Sequence, residues 1–226
     1  VDEVNDRENV VAIDGPGGSG KSTIARGVAR ALGWPVLDTG AMYRAVTLVA
    51  LEQQLPLDDE KACARVAAEH TIAVDDGITM VDERDVSAEI RGPRVTAAVS
   101  TVSAHPSVRT LLVARQRAWL AERGTGVVEG RDIGTVVFPA APLKVFLTAS
   151  DAERARRRQR DEVASERSVA VEEVQTELAR RDALDSRRTV SPLRPAADAV
   201  VIDTTGRTVD EVVDELVERA RVAGIA

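Results

Sequence analysis

The run Gly15-Pro16-Gly17-Gly18-Ser19-Gly20-Lys21-Ser22-Thr23 combines a glycine-rich turn with one lysine and two adjacent hydroxyls. Its spacing satisfies G-x-x-x-x-G-K-S, between an apolar run ending at Ile13 and an amphipathic stretch opening at Lys21. Glycines let successive backbone N–H groups converge on one anion. A helix starting at the same point adds its positive end. Lys21 can then reach the β- and γ-phosphates of a nucleotide, and the Ser22 hydroxyl can ligate Mg²⁺. This is a triphosphate cradle.

A cradle alone does not say where the phosphate goes. A GTPase is one reading, since Asp203-Thr204-Thr205-Gly206 matches D-x-x-G. The guanine-reading N-K-x-D has no candidate, because the only asparagines are Asn5 and Asn9. A mechanical ATPase needs an acidic pair after a strand. Glu129 follows an apolar run, but Gly130-Arg131-Asp132 comes next, and an arginine there suits a second bound anion. A kinase must hold an acceptor against the donor, and guanidinium forks match phosphate oxygens two at a time. Arg44, Arg131 and Arg188 are the candidates. Asp38-Thr39-Gly40-Ala41-Met42-Tyr43-Arg44 falls at a strand-to-helix junction, where ligands of open α/β sheets gather.

The elements that would position these groups are legible as periodicity. Val10–Ile13, Pro35–Leu37, Gly126–Val128, Leu143–Leu147 and Ala199–Ile202 are short apolar runs, as buried parallel strands are. Helical patterns separate them: Lys21–Leu32, Ala41–Leu51, Glu60–Glu69, Arg94–Ser103, Ser107–Arg123, Ser150–Glu162, Val169–Ala183 and Thr208–Ala223. The alternation predicts an α/β fold, a doubly wound five-stranded parallel sheet. Two stretches break the rhythm. Thr71–Val74 and Ile78–Val81, joined through Asp75-Asp76-Gly77, predict a small antiparallel hairpin inserted in the core. Gln159–Ser168 is dense in charge and reads as a solvated connection or a lid.

The chain of 226 residues has 44% hydrophobic and 30% charged residues, as ordinary globular proteins do. No apolar run approaches the roughly 18–20 residues that span a bilayer. A net charge of −7 argues against a sequence-independent grip on nucleic acid polymers. Cys63 is the only cysteine, which excludes an intrachain disulfide or a zinc–thiolate cluster. Residues 1–9 lack a secretory pattern and are expected to be a disordered tail, with a cytoplasmic location following by default. His70 and His105 are assigned capping or surface roles, and Trp34, Trp119 and Cys63 the core.

Several motifs together resemble the bacterial cytidylate kinases, of the nucleoside monophosphate kinase group. They are IDGPGGSGKST (13–23), LDTGAMYR (37–44), DVSAEIR (85–91), HPSVRTLLVARQR (105–117), EGRDIGTVVFPAAPLK (129–144) and RRDALDSRR (180–188). The resemblance implies ATP and CMP or dCMP as substrates, Mg²⁺ as cofactor, and a monomer. It implies a P-loop core at 10–62 and 104–226, an acceptor-binding insertion at 63–103, and a helical lid at 155–170. It gives Arg44 and Arg131 the acceptor phosphate, with Thr39 and Tyr43 lining that pocket. Ser100, Arg109 and Asp132 would read the base, and Arg181, Asp185 and Arg188 would address the sugar and phosphate side. Lid arginines, Arg157 and Arg158 foremost, would close over the transferring group. Thr39 stands where a serine is familiar, and keeps the hydroxyl. Cytosine presents an amino donor to a carboxylate such as Asp132 and two acceptors to Arg109. Solvent reaching that edge is expected to soften discrimination against uracil.

Overall fold

The chain is built around a five-stranded sheet in a computed structural model that describes residues 9–164 and 170–226. The expected tail lies outside the described residues apart from Asn9, as do residues 165–169 of the expected lid. In chain order the elements are β1 (Asn9–Asp14), α1 (Lys21–Leu32), β2 (Val36–Asp38), α2 (Thr39–Glu52) and α3 (Glu60–Glu69). Three short strands follow: β3 (Ile72–Asp75), β4 (Ile78–Val81) and β5 (Arg84–Asp85). Then come α4 (Pro93–Val102), α5 (Pro106–Arg123), β6 (Thr125–Gly130), β7 (Leu143–Thr148), α6 (Asp151–Ala164), α7 (Val171–Ser186), β8 (Val200–Asp203) and α8 (Val209–Val222).

The large sheet has the order β2-β6-β1-β7-β8, and every pairing is parallel. Its strands read as unbroken apolar runs because both faces are covered. In β1, Val10 and Ala12 face the core shared with α2 and α5, while Val11 and Ile13 face α1 and α8. All four are fully buried, a gain of roughly 1.5–3 kcal/mol for each larger aliphatic side chain. Parallel strands put all five carboxyl ends on one edge, so Asp14, Asp38, Gly130, Thr148 and Asp203 open toward the same side. β1 lies in the middle, which centres the glycine-rich loop on that edge.

The hairpin expected around Asp76-Gly77 is present, and Asp76 (φ 41°) and Gly77 (φ 84°) both adopt the positive φ of a tight I′-type turn. A third strand, β5, extends it, a two-residue element too short for periodicity to reveal. The charge-dense stretch is a correction in part: α6 continues to Ala164, so 159–164 is helix and not a connection. A wide helical turn at Ile133–Val137 was also not foreseen; it is held by i→i+5 bonds from the Val137 and Phe138 amides to the Asp132 and Ile133 carbonyls. His70 ends α3 and His105 precedes α5, its Nε2 2.8 Å from the Leu57 carbonyl, both as expected. Cys63 and Trp119 are core, while Trp34 is only half-buried. Among the described residues no helix is long and apolar enough to cross a membrane.

Candidate active site

The loop between β1 and α1 needs its glycines for room. Gly15 has φ +151°, and a Cβ there would lie 2.2 Å from the Leu147 carbonyl oxygen. Gly20 precedes α1 with φ +91°, and no side chain caps the helix. No acidic residue occupies its first turn either, so the leading N–H groups are free for an anion. The Lys21 ammonium lies under the loop and donates to the Pro16 carbonyl at 2.8 Å. Burial, and after it the Arg131 guanidinium, lowers the Lys21 pKa to about 7, while Glu129 and Asp14 oppose the fall.

One cleft of about 1100 Å³ runs from this loop along the carboxyl edge of the sheet. Gly17 to Thr23 line one end, whereas Gly15 and Pro16 of the same loop do not line the cleft. The remaining expected residues line the cleft together: Thr39, Tyr43, Arg44, Ser100, Arg109, Arg131, Asp132, Arg157, Arg158, Arg181, Asp185 and Arg188.

Its middle is crowded with guanidinium groups. Arg131 donates from Nε to Asp185 at 3.0 Å and from Nη1 to the Gly15 carbonyl at 2.9 Å. Arg188 pairs with Asp185 and donates to the Ser103 hydroxyl at 2.8 Å. Arg44 donates to the Ile90 carbonyl at 3.0 Å and the Thr96 hydroxyl at 2.9 Å, tying α2 to the inserted segment. Burial lowers the Arg44 pKa to about 9, with Arg181 and Arg158 adding to the effect. Burial and Arg131 likewise lower Arg181 to about 10. The Nε atoms of Arg181 and Arg188 are buried with no hydrogen-bond partner. Crowded cations with unused buried donors fit an anionic ligand.

The far end is more enclosed than expected. Arg109 and Asp132 line the cleft yet are each only 4% exposed and form an ion pair with each other, so little of this edge is open to solvent. Arg109 stacks over the Tyr43 ring at 5.3 Å, and its Nε has no hydrogen-bond partner. Ser100 is buried beside them, and the Thr39 hydroxyl donates to the Glu129 carbonyl at 2.7 Å.

What holds Asp132 in place is Asp14, a residue the motif reading passed over. Its two carboxylate oxygens accept from the Ile133 and Gly134 amides, both at 2.8 Å, fastening the wide turn to the end of β1. Burial is the largest influence on Asp14 and Asp132 adds to it, so its pKa rises from 3.8 to about 6 despite those two bonds. A carboxyl raised on folding binds its proton more tightly in the native state. Its contribution to stability is therefore complete below the unfolded value and lost as pH climbs through the folded one. The stability difference between wild type and Asp14→Asn should fall by about 3 kcal/mol from roughly pH 3 to pH 7. Chemical denaturation across that range measures it; a flat difference would mean Asp14 titrates ordinarily.

A divalent cation has hard oxygen donors available at the cradle. The Ser22 hydroxyl approaches the Glu129 carboxylate, and burial with Asp38 close by raises Glu129 to about 7. Two carboxylates in mutual repulsion beside a hydroxyl suit a divalent cation that takes its other ligands from phosphate and water. On the donor side Arg157, expected to act from the lid, donates to the Thr204 hydroxyl and carbonyl, each at 2.8 Å. Thr204 belongs to the D-x-x-G tetrad that follows β8, and its hydroxyl also reaches the Ser19 carbonyl at 3.1 Å. Asp38, Glu129 and the turn at Gly206-Arg207 line the cleft too, and only a strand-end position hinted at them.

The cytidylate kinase family pattern matches residues 11–222. The chain is 53% identical to the cytidylate kinase of Mycobacterium avium (strain 104) over 94% of its length and 95% of that protein's. It is 50% identical to the cytidylate kinase of Carboxydothermus hydrogenoformans, covering 92% of this chain and 95% of the other. A solved structure of an uncharacterized protein from Eubacterium ventriosum shares the fold, at TM-score 0.54, 13% identity and 94% and 98% coverage.

Proposed function

We propose a mechanism from one premise: the chain belongs to the cytidylate kinase family. It is an ATP-dependent kinase that transfers the γ-phosphoryl group to CMP or dCMP, giving CDP or dCDP. The observation that carries the residue assignments is the single cleft with Lys21 and free loop amides at one end and crowded arginines beyond.

The loop amides from Gly18 to Lys21 take the ATP phosphates, with Ser22 and Thr23 at the helix start. Arg44 and Arg131 take the acceptor phosphate, and Arg181, Asp185 and Arg188 the sugar and the phosphate's outer side. Tyr43 and Thr39 wall that pocket. The acceptor is already an anion, so no general base is needed and catalysis is positioning plus charge neutralisation. Lys21 and Arg131 neutralise charge on the transferring group, and Arg157 and Arg158 approach it from α6. Ser22 and Glu129 would hold Mg²⁺, which neutralises charge on the donor phosphates. At the far end Asp132 accepts from the cytosine amino group, while the Arg109 guanidinium donates to an acceptor on the ring.

The inserted segment 63–103 serves as the acceptor-binding part, and 155–170 as the lid. The protein acts as a cytoplasmic monomer on free nucleotides, not on nucleic acid polymers. ADP release measured with CMP, dCMP, UMP, AMP and no acceptor tests the reading. CMP and dCMP should exceed the others by at least about tenfold. Equal release without acceptor would make the protein an ATPase instead.

A further inference from the structure

The phosphate loop contains Gly17-Gly18, the most freely rotating pair a backbone can hold. Its peptide planes are nevertheless fixed from outside. The Gly17 amide donates to Asp182 Oδ1 at 3.2 Å, and the Gly17 carbonyl accepts from Arg154 Nη1 at 2.9 Å. Arg154 and Asp182 are themselves ion-paired, and Arg154 also reaches Asp151 at 2.8 Å. Neither Arg154 nor Asp182 lines the cleft; each meets the main chain of the loop instead.

A trans peptide points its C=O and N–H in opposite directions. Fixing one group therefore aims the other. In the Pro16–Gly17 peptide, the N–H end is held by Asp182 and the C=O end receives the Lys21 ammonium at 2.8 Å. In the Gly17–Gly18 peptide, Arg154 holds the C=O, which turns the Gly18 N–H the other way. We propose that Asp182 and Arg154 are positioning residues for the donor nucleotide, setting the orientation of these two peptides and through them the Lys21 ammonium and the Gly18 amide.

A second pair one helical turn along α7 repeats the arrangement. Asp185 holds Arg131, which donates to the Gly15 carbonyl at 2.9 Å. Asp182 and Asp185 are three residues apart, so one face of α7 grips the loop at two points. The Leu178 side chain, on the same helix, packs where a Cβ on Gly17 would stand, 2.8 Å away, leaving no room for the loop to shift toward α7. The lower grip belongs to the acceptor site already described; the upper one acts on the donor side alone.

This inference rests on the kinase reading for the identity of the donor, and its test separates the two. Binding of a non-hydrolysable ATP analogue, without acceptor, and of CMP, without donor, is measured by calorimetry on wild type, Asp182→Ala, Arg154→Ala and the double variant. Each single variant should bind the ATP analogue about tenfold more weakly, the scale of lost charge-assisted hydrogen bonds, with CMP affinity within twofold. The double variant should lose far less than the product of the two, because both side chains hold one dipeptide. ATP-analogue affinity within twofold of wild type, or equal weakening of both ligands, would overturn the proposal. Should Asp182→Ala fail to fold, Asp182→Asn keeps the shape, and the same selective weakening is required of it. Failure of wild type to bind CMP would count against the kinase reading and leave the ATP arm intact.

Discussion

Lys21→Ala should lower kcat by about 10³-fold while the protein remains folded, as removal of a group aimed at developing transition-state charge does. Lys21 is 7% exposed, and its ammonium sits among Glu129, Asp14 and Arg131. Burial already lowers its pKa to about 7, so its charge is held there only by the surrounding carboxylates, and two bound phosphates would hold it more firmly. Its one hydrogen bond in the structure is to the Pro16 carbonyl, a local contact within the loop. Deleting it therefore breaks no hydrogen bond outside the loop. CMP-dependent ADP release gives the rate and circular dichroism the fold. A folded variant within tenfold of wild-type kcat would remove Lys21 from the chemistry.

The consequence of that placement is that the cradle and the arginine-lined middle of the cleft act through a shared field. Arg131 is a cause of the lowered pKa of both Lys21 and Arg181. Asp185 answers it with a carboxylate whose pKa the neighbouring arginines hold down despite burial. Positive charge accumulated in a chain of net charge −7 is concentrated where two phosphorylated ligands must meet. Electrostatic repulsion among the protein's own groups falls when those anions bind.

What the sequence made legible, and what it did not, divides along sequence separation. The loop at 15–23, the strand at Gly126–Val128 and α3 at Glu60–Glu69 follow from local spacing, because periodicity and glycine placement are local properties. Arg44, Arg131 and Arg188 stood out because strand ends and motif context marked them. Asp14 did not, since its role appears only when the Ile133 and Gly134 amides, 119 and 120 residues away, are brought to it. Asp182 meets Gly17 across 165 residues, and an aspartate in a charged helix looks like a solvated face. The wide turn at Ile133–Val137 has no repeat of its own to betray it; Asp14 imposes it. The supposed exposure of the base-reading edge failed for the same reason. Nothing local in Arg109 or Asp132 says that each will be buried by the other.

That burial sharpens the second large effect. A largely closed site that pairs a polar group can reject an analogue leaving it unpaired by as much as ~10⁴. Asp132→Ala removes the acceptor for the cytosine amino group and strands Arg109 as a buried, uncompensated cation, a loss on the order of 3–5 kcal/mol in stability. Activity and stability would then fall together, which makes alanine a blunt probe. Asp132→Asn separates them. Its carbonyl oxygen can still accept from Arg109, and its amide group offers a donor where the base-facing carboxylate oxygen had been. Cytosine then meets a donor with its own amino group, while uracil presents a carbonyl that fits. The ratio of kcat/KM for CMP over UMP should fall by at least about 10²-fold, with the KM for ATP unchanged within twofold. Steady-state kinetics with both acceptors at saturating ATP gives the ratio. If CMP keeps its preference in a folded Asp132→Asn variant, the carboxylate does not face the amino group, and the cytosine edge must be read by Ser100 or by the backbone of the turn that Asp14 holds.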